Sequence, residues 1–470
     1  MKIKFPEEVF EDLKKELEWD GKEKAAFLLC HRSSSNNNVS LLVHEILVPE
    51  EPDYVVRSHS ICEVRKSFIN RVYKGAIETQ SDVIKVHTHP PGFPAIFSPI
   101  DESHEPKFIR HIDSKIEGME HASLVFSSAF DSVDGWHYEP DSDEFLPVEK
   151  VSIIRKDSLE ILLPFRSQLS GKALDPALDR TALAFGEGRV KKNGCLDIGV
   201  IGAGGLGSAI IELIARDRPK SVLISDPDVI ELTNLNRLVG ATQEDIGRNK
   251  AEFYAEYVKT ISPDTEVKAY RSSFYEPAVQ KELTQTDFTF GCVDSGARHA
   301  INQQCSAHMI PYFDLGAMIQ SKDGNTVFIG GQVFSVVPGK HVCLSCSGVF
   351  DSLLSDYLTP QDRVANAAQG YIDGDNTINS PLVAHLDFFI ASLGYYEALK
   401  YVVGLPGTQS FKVYFDQLND KISRSNCKTE KCLVCREDGF LGKGDKVPFL
   451  YPDDGKVNNK ILTLLEAGKT

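Results

Sequence analysis

Two histidines separated by one residue could bind a metal ion together with a nearby aspartate. His87 and His89 follow the apolar stretch DVIKV, and Asp101 follows a proline-rich loop. Side chains two positions apart on a strand point to the same side, so both imidazoles can face one ion. Three protein ligands leave the fourth zinc position open for water, whose pKa the metal would lower. The spacing therefore predicts metal-assisted hydrolysis. The adjacent His104 is interpreted as a loop histidine.

A glycine-rich turn predicts a second chemical site, for a nucleotide. The stretch 198–201 is short, apolar and rich in β-branched residues, which is typical of a buried parallel strand. A helix predicted from Ser208 would direct its N-terminal amides at a phosphate. The glycines that would let the backbone turn beneath that phosphate are Gly202, Gly204, Gly205 and Gly207. Alone, this motif is equally typical of a structural turn.

Charged residues after the glycine turn favour ATP chemistry over hydride transfer. Asp226 ends the next predicted strand, where a ribose hydroxyl would be held. Arg237 and Lys250 could neutralise phosphates during a reaction, and Asp294, at the end of a third strand, could bind Mg²⁺. An NAD dehydrogenase would have no use for Arg237 and Lys250. The pattern therefore predicts an adenylation site.

Four of the ten cysteines form two CxxC pairs separated by a long insert. Each pair offers two thiolates from one tight turn, and four thiolates close a tetrahedral shell with no open position. We therefore predict a structural zinc site. Its ligands would be Cys343, Cys346, Cys432 and Cys435.

The remaining cysteines bear on whether the protein forms a thioester. No cysteine occurs between Ser347 and Asn426, and Cys427, beside the second CxxC pair, is interpreted as structural or as a spare ligand. Cys292 and Cys305 fall on a predicted strand and helix, where free cysteine usually acts as a small apolar residue. The pattern favours a protein that hands on an acyl group without a thioester of its own, and Cys427 is the nearest candidate if a thioester forms.

The composition restricts the class of protein. With 51 basic and 67 acidic residues the chain carries a net charge of -16, which argues against nucleic-acid binding. The N-terminus has no apolar core of signal-peptide length and nowhere do 18 apolar residues run together, so we expect a cytoplasmic protein without membrane contact.

The elements that must position these residues can be placed from periodicity. Residues 6–18 predict an amphipathic helix, two apolar stretches near 22–50 predict strands joined by a polar SSSNNN hairpin loop, and 64–79 has helical spacing. Residues 381–404 read as a long apolar core helix. We expect an α/β protein with a first domain at 1–160, a linker at 161–178, a second domain at 179–440 and a tail at 441–470.

The first site resembles the signature of the JAMM (JAB/MPN+) metallopeptidases. The motif HTHP at 87–90 is followed by Ser98 and Asp101, and Glu23 in KEKAAFLL matches the upstream glutamate of that family. The resemblance covers roughly residues 5–145. It implies a cytidine-deaminase-like α/β domain and a zinc isopeptidase of the deubiquitinase type. In it Glu23 would activate the zinc-bound water and Ser98 would help to hold the oxyanion.

The second site resembles the ThiF/MoeB and ubiquitin-activating superfamily, from about Asp179 to Asp438. The motifs GAGGLGS, DPD, TNLNR, DIGRNK and CVDSGARHAIN stand in family order. The resemblance implies a Rossmann-like adenylating domain with a zinc knuckle. Asp226 would bind the ribose and Asp294 the magnesium. The triphosphate would be bound by Asn234, Arg237 and Lys250, with Asn236 beside them. Arg180 matches the arginine that in homodimeric members reaches into the partner subunit's site.

Together the two resemblances suggest a bifunctional protein of a bacterial ubiquitin-like conjugation pathway. A peptidase and an adenylating enzyme would act on the same C-terminal tail of a ubiquitin-like protein ending in glycine. We expect a homodimer, with a conjugating-enzyme-like protein as a further partner. The alternative partner is a ThiS-like sulfur carrier, which the missing cysteine favours slightly. A third hypothesis is that either half is a non-catalytic binding module.

Overall fold

The computed structural model describes residues 1–35, 38–116, 118–166, 174–293, 297–322, 325–340, 342–347, 382–405, 411–426 and 430–448. These residues form two compact units. The first unit contains the described residues of Met1–Arg155, Leu159–Ala173 and Gly442–Lys446. The second unit contains those of Lys156–Ser158, Leu174–Leu441 and Val447–Thr470.

The first unit is built on a nine-stranded mixed sheet. Its elements, in chain order, are β1 (Lys2–Pro6), α1 (Glu7–Glu16), β2 (Ala25–Ser35), β3 (Asn38–Leu47), β4 (Tyr54–Arg57), β5 (Cys62–Val64), α2 (Lys66–Thr79), β6 (Asp82–Thr88), α3 (Pro99–Asp113), β7 (His121–Phe126), β8 (Val133–Glu139), β9 (Glu144–Pro147), β10 (Lys150–Ile154) and β11 (Leu159–Leu162). The sheet order is β11-β10-β1-β3-β2-β6-β7-β8-β9, and β4 and β5 form a separate ribbon.

Both faces of this sheet are buried, as β2 shows. Its residues alternate between two apolar clusters, Ala26 and Leu28 in one, Phe27 and Leu29 in the other. Helix α1 packs Phe10 and Leu13 into the first cluster, and α2 packs Phe68 and Val72 into the second. A strand covered on both faces needs a continuous apolar run, and AAFLLC in β2 supplies it.

The second unit is a doubly wound sheet with an antiparallel extension. Its elements are α4 (Asp179–Phe185), α5 (Glu187–Asn193), β12 (Asp197–Ile201), α6 (Gly205–Asp217), β13 (Ser221–Ser225), α7 (Lys250–Ile261), β14 (Glu266–Tyr270), α8 (Pro277–Leu283), β15 (Phe288–Gly291), α9 (Ala297–Ala307), β16 (Tyr312–Lys322), β17 (Asn325–Val336), α10 (Ala384–Val403), β18 (Lys412–Asp416) and β19 (Lys421–Ser425). The sheet order is β14-β13-β12-β15-β16-β17-β18-β19. Strands β12 to β16 pair in parallel, and β16 to β19 pair antiparallel.

The helices and strands predicted from periodicity are confirmed, with differences at their ends. Helix α6 begins at Gly205 rather than at Ser208, because the glycine turn itself enters the helix. The serines of the predicted hairpin loop belong to β2 instead, since Ser33, Ser34 and Ser35 pair with residues of β3. Pairing thus overrides the turn preference of a polar run.

The compact units do not divide where the sequence suggested. A boundary at residue 160 would cut β11, whose residues 159–162 pair antiparallel with β10. Residues 442–446, assigned to a tail, belong to the first unit, where Oδ2 of Asp445 accepts a hydrogen bond from the amide of Ser34 at 3.0 Å. The remainder of the predicted tail, 449–470, lies outside the described residues.

No helix within the described ranges is both long and apolar enough to span a membrane.

Candidate functional site

The two histidines and the aspartate predicted to bind metal converge in the first unit. His87 is on β6, His89 follows its end, and Asp101 is in the first turn of α3. Each offers one ligand atom, and these atoms lie within 4.8 Å of one another. Nε2 of His87 is 3.4 Å from Oδ1 of Asp101, and Nε2 of His89 is 3.4 Å from Oδ2. His104, by contrast, is exposed on α3.

Local hydrogen bonds hold two of these side chains ready for an ion. Nδ1 of His89 donates to the carbonyl of Pro94 at 3.1 Å, so in the neutral ring the lone pair is on Nε2, the atom that faces Asp101. Ser98 caps α3: its backbone amide donates to Oδ2 of Asp101 at 2.8 Å, and its Oγ accepts from the amide of Asp101 at 3.2 Å. The hydroxyl proton of Ser98 thus remains available to a substrate oxygen.

The donor set fits a metal ion. The imidazole of His87 is buried, and within the described residues neither of its ring nitrogens makes a hydrogen bond. A buried imidazole without such a bond is costly, and a metal would compensate for it. Burial by itself would raise the pKa of Asp101, but the adjacent imidazoles of His87 and His89 lower it well below its usual range. Two imidazoles and an ionised carboxylate are the ligands zinc prefers at catalytic sites.

Glu23 lies beside this cluster because of strand pairing. Ala25, two residues later, pairs with His87 across β2 and β6. The amide of Glu23 donates to the carbonyl of Ser58 at 2.8 Å, and Nε of Arg57 donates to the carbonyl of Glu23 at 3.1 Å. Burial raises the pKa of the Glu23 carboxyl, while the nearby histidines partly oppose that rise. A carboxyl with a raised pKa is suited to accept and return a proton.

In the second unit the glycine turn lies at the carboxyl edge of the parallel strands. Gly202 has φ +92°, and a Cβ there would come within 2.5 Å of the carbonyl oxygen of Cys292. A Cβ on Gly207 would overlap the carbonyl oxygen of Gly202, whereas one on Gly204 would meet nothing. The turn is therefore tight on its inner side and open at Gly204, where α6 begins. A phosphate could approach the helix amides there.

Asp226 and Lys250 meet at the same edge. Oδ2 of Asp226 accepts from the amide of Ala203 in the glycine turn at 2.6 Å, and burial raises the pKa of this carboxyl while Lys250 lowers it. Nζ of Lys250 donates to Oδ2 of Asp228 at 2.9 Å. Asn249 donates from Nδ2 to the carbonyls of Asp226 and Asp228 at 3.0 and 2.9 Å, which joins the start of α7 to the end of β13.

Arg237 is also close to the glycine turn. A Cβ on Gly205 would stand 3.1 Å from Cδ of Arg237, and Nη1 of Arg237 donates to Oδ1 of Asn236 at 2.9 Å. Asn234 is buried, and its Oδ1 accepts from the amide of Glu231 at 3.3 Å. Arg237 lies against the glycine turn and Lys250 beside Asp226, and their action on one nucleotide stays a prediction.

Three other predicted residues remain to be placed. Asp294, predicted to bind magnesium, and Cys427 lie outside the described residues. Arg180 is exposed on α4 and forms no ion pair with any described residue. Cys305 is buried in the core, in agreement with a structural role, and Cys292 is half-buried.

The four paired cysteines form one cluster. Sγ of Cys343 is 3.9 Å from Sγ of Cys346 and 3.6 Å from that of Cys432, and the Sγ atoms of Cys346 and Cys435 are 3.7 Å apart. Four sulfurs at about 2.3 Å from a tetrahedral zinc would be about 3.8 Å apart. The cluster is compatible with structural zinc.

Sequence reasoning missed two residues of the nucleotide edge. Asn249 stood unremarked in DIGRNK, although an asparagine directly before a helical run is a usual N-cap. Asp387 lies in the helix interpreted as an apolar core element, and its carboxylate packs against Gly205. A single acid within the apolar run PLVAHLDFFIAS was the available signal.

The second unit contains the residues that match a known protein family. The ThiF family model matches residues 178–435. The catalytic subunit of the NEDD8-activating enzyme E1 of Saccharomyces cerevisiae is 27% identical over 49% of this chain and 72% of its own length. Ubiquitin-like modifier-activating enzyme 5 of Drosophila willistoni is 28% identical over 32% of this chain.

The chain spans only part of such relatives, 38% of the length of the Drosophila enzyme. Among solved structures, Escherichia coli MccB in complex with MccA-N7isoASN superposes with a TM-score of 0.47 at 19% identity, over 56% of this chain and 75% of that one.

Proposed function

The chain belongs to the ThiF family, and from that premise we propose that its second unit uses ATP to adenylate the C-terminal carboxylate of a ubiquitin-like protein ending in glycine. The observation that carries this proposal is the convergence of the glycine turn with Asp226, Arg237 and Lys250 at one sheet edge. Cations close to a phosphate loop stabilise charge that develops on phosphates, which hydride transfer does not require.

The reaction assigns each residue a task. The substrate carboxylate attacks the α-phosphorus of ATP, an acyl-adenylate forms, and pyrophosphate leaves. Asp226 binds the ribose, while Asn234, Arg237 and Lys250 hold the phosphates that depart. Asp294 is the proposed ligand for Mg²⁺, which would neutralise phosphate charge. Arg180, exposed on α4, would complete the site of a second copy in a homodimer.

We propose that the first unit is a JAMM-type zinc peptidase that cleaves at the tail of the same protein. His87, His89 and Asp101 would hold the zinc, which when bound acts as a Lewis acid and lowers the pKa of its water. Glu23 would take the proton from that water and deliver it to the leaving amine. Ser98 would donate its hydroxyl proton to the oxyanion. This site is supported by the buried His87 imidazole, which makes no hydrogen bond with the described part of the chain.

The two activities act on one substrate group. Cleavage exposes a terminal carboxylate, or releases a modifier already attached, and adenylation activates that carboxylate. The absence of cysteine from Ser347 to Asn426 supports transfer of the acyl group to a nucleophile outside this chain. That nucleophile is a conjugating-enzyme-like protein in a modifier pathway, or sulfur in the ThiS-like alternative, and the identity of the accepting atom distinguishes them. We propose a cytoplasmic location for either pathway.

Pyrophosphate exchange tests the adenylation. Purified protein is mixed with ATP, labelled pyrophosphate and a small ubiquitin-like protein that ends in Gly-Gly. Exchange should require that protein and should be lost in Asp294→Ala. Exchange that needs no protein partner, or that survives this substitution, would refute the scheme.

A tail-extended form of the same small protein tests the peptidase. The full-length enzyme should cut after the terminal glycine of the small protein. His87→Ala should abolish this cleavage and should bind one equivalent of zinc less than the wild type. If His87→Ala cleaves normally, the peptidase assignment is wrong.

A further inference from the structure

We propose that the buried ion pair between Lys85 and Glu105 is a positioning device that sets the geometry of the His87, His89 and Asp101 metal site. Neither residue belongs to the metal-ligand motif. The inference rests on the proposed zinc peptidase, because it concerns how that site binds its ion.

The pair forms a second connection between the two elements that carry the ligands. Lys85 precedes His87 by two residues on β6, so their side chains leave the same face of the strand. Glu105 follows Asp101 by four residues on α3, so these two share a helix face. β6 and α3 are therefore linked twice. His87 faces Asp101, and Lys85 pairs with Glu105, with Nζ 2.5 Å from Oε1.

A third strand fixes the glutamate from its other side. Ser123 on β7 pairs in register with Lys85, and its hydroxyl donates to Oε2 of Glu105 at 2.8 Å. The side chain of Glu105 is only 3% exposed, and each of its carboxylate oxygens has a donor. Glu105 thus holds α3 against two neighbouring strands at a defined height and rotation.

The position of α3 matters because it carries the Asp101 carboxylate. Asp101 is at the third position of α3, and the loop from Pro90 to Phe97 that leads to it is irregular. A shift of α3 along the sheet would move the Asp101 carboxylate away from both imidazoles. Metal affinity depends steeply on such geometry, and groups that orient ligands typically change it by about 10- to 100-fold when removed.

The ion pair is not needed merely to fill space. Removing one partner leaves a buried charge, but an apolar pair of similar volume usually restores or improves stability. Such a pair would lack directional bonds to Ser123 and between β6 and α3. The double substitution Lys85→Met with Glu105→Leu therefore separates a general packing role from a positioning role.

The test is zinc affinity of the full-length protein, measured by chelator competition with the four-cysteine site kept loaded. The difference in bound zinc between the wild type and His87→Ala is the zinc of the first-unit site. We expect Glu105→Gln and the double variant to weaken this site at least 10-fold, with the melting temperature of the double variant near that of the wild type. Cobalt bound in place of zinc should show a shifted visible spectrum. Lys85→Arg keeps a cation at this position and should retain most of the wild-type zinc affinity.

Arg110→Ala is the matched control, since Arg110 lies on the same helix in an exposed pair with Asp143. It should leave zinc affinity within about twofold. Zinc affinity unchanged in the folded double variant would overturn the positioning role. If His87→Ala releases no zinc, the zinc site itself is wrong, and that outcome is separate from a failure of the Lys85–Glu105 inference.

Discussion

Lys250 is joined to Asp228 twice, by its side chain at 2.9 Å and by its backbone amide, which donates to the Asp228 carbonyl at 3.0 Å. Lys250 is the first residue of α7, where a cation opposes the helix dipole. A lysine there costs helix stability unless an acid offsets it. Asp228 supplies that acid here, and phosphate binding by Lys250 stays a prediction.

Replacing this lysine should cost activity rather than stability. Lys250→Met should lower ATP–pyrophosphate exchange by about 10²- to 10³-fold, as expected when one charge stabiliser is lost, and should leave thermal unfolding almost unchanged. Arg248→Met removes a partly exposed cation two residues earlier, paired with Asp245 and Glu256, and should have little effect. Equal losses in both variants would contradict a specific role for Lys250.

The proton-transfer role of Glu23 can be separated from metal binding. Glu23→Gln keeps the side-chain size and should retain zinc, but cleavage should fall by about 10²- to 10⁴-fold because the water loses its base. Cleavage rate and zinc content are measured on the same sample. Glu18→Gln, an exposed glutamate close in sequence, should behave as wild type. A Glu23→Gln protein that cleaves at the normal rate would exclude this residue as the base.

The glycine turn should tolerate a methyl group at one glycine and not at another. Gly207→Ala would drive its Cβ into the carbonyl oxygen of Gly202, and we expect about 1–3 kcal/mol of destabilisation. Gly204→Ala in the same turn meets no atom within 4 Å and should unfold close to the wild type. Urea unfolding without nucleotide compares the two. The reverse order of stability would mean that the turn has another conformation in solution.

Loss of the four-cysteine cluster should destabilise the second unit. The amide of Leu344, between Cys343 and Cys346, donates to Oδ1 of Asn302 at 3.1 Å, so the cluster holds α9. Cys435→Ser should remove one zinc. The free energy of unfolding should fall by about 4–5 kcal/mol or more, the range expected for loss of a structural metal. Cys195→Ser, a cysteine outside the cluster, should retain the zinc. Full zinc content in Cys435→Ser would rule out this metal site.

Acid should destabilise the first unit through two stacked histidines. The ring centroids of His31 and His44 are 4.0 Å apart. Burial lowers the pKa of His31 to about 3 and that of His44 to about 4, and the positive charges of Lys446 and Lys443 lower both further. In the unfolded chain the pKa of histidine is about 6.5. Between these values the unfolded state binds more protons, so stability present above pH ~6.5 is lost as the pH falls through this window.

Urea unfolding between pH 7 and 5 measures this loss. His31→Gln should flatten the dependence of the unfolding free energy on pH, and His104→Gln, at an exposed position, should not. An unchanged slope in His31→Gln would show that His31 has the same pKa in the folded and unfolded states, which contradicts the prediction.

The sequence alone determined the features that depend on neighbours along the chain. The alternation of a strand places His87 and His89 on one side, and a short loop returns Asp101 to them. Each CxxC pair likewise fixes two thiolates within one turn. Parallel strands end at one sheet edge, so the order of Gly202 and Asp226 after successive strands predicted their proximity.

Only the tertiary structure decided which distant residues support these sites. Asp387 reaches Gly205 from a helix far along the chain, Lys85 finds Glu105 across a strand and a helix, and residues 442–446 belong to the first unit rather than to a tail. Hydrophobic periodicity specifies which face of an element is buried, but not which element covers it. Those partners follow from the packing of whole elements, which no local motif encodes.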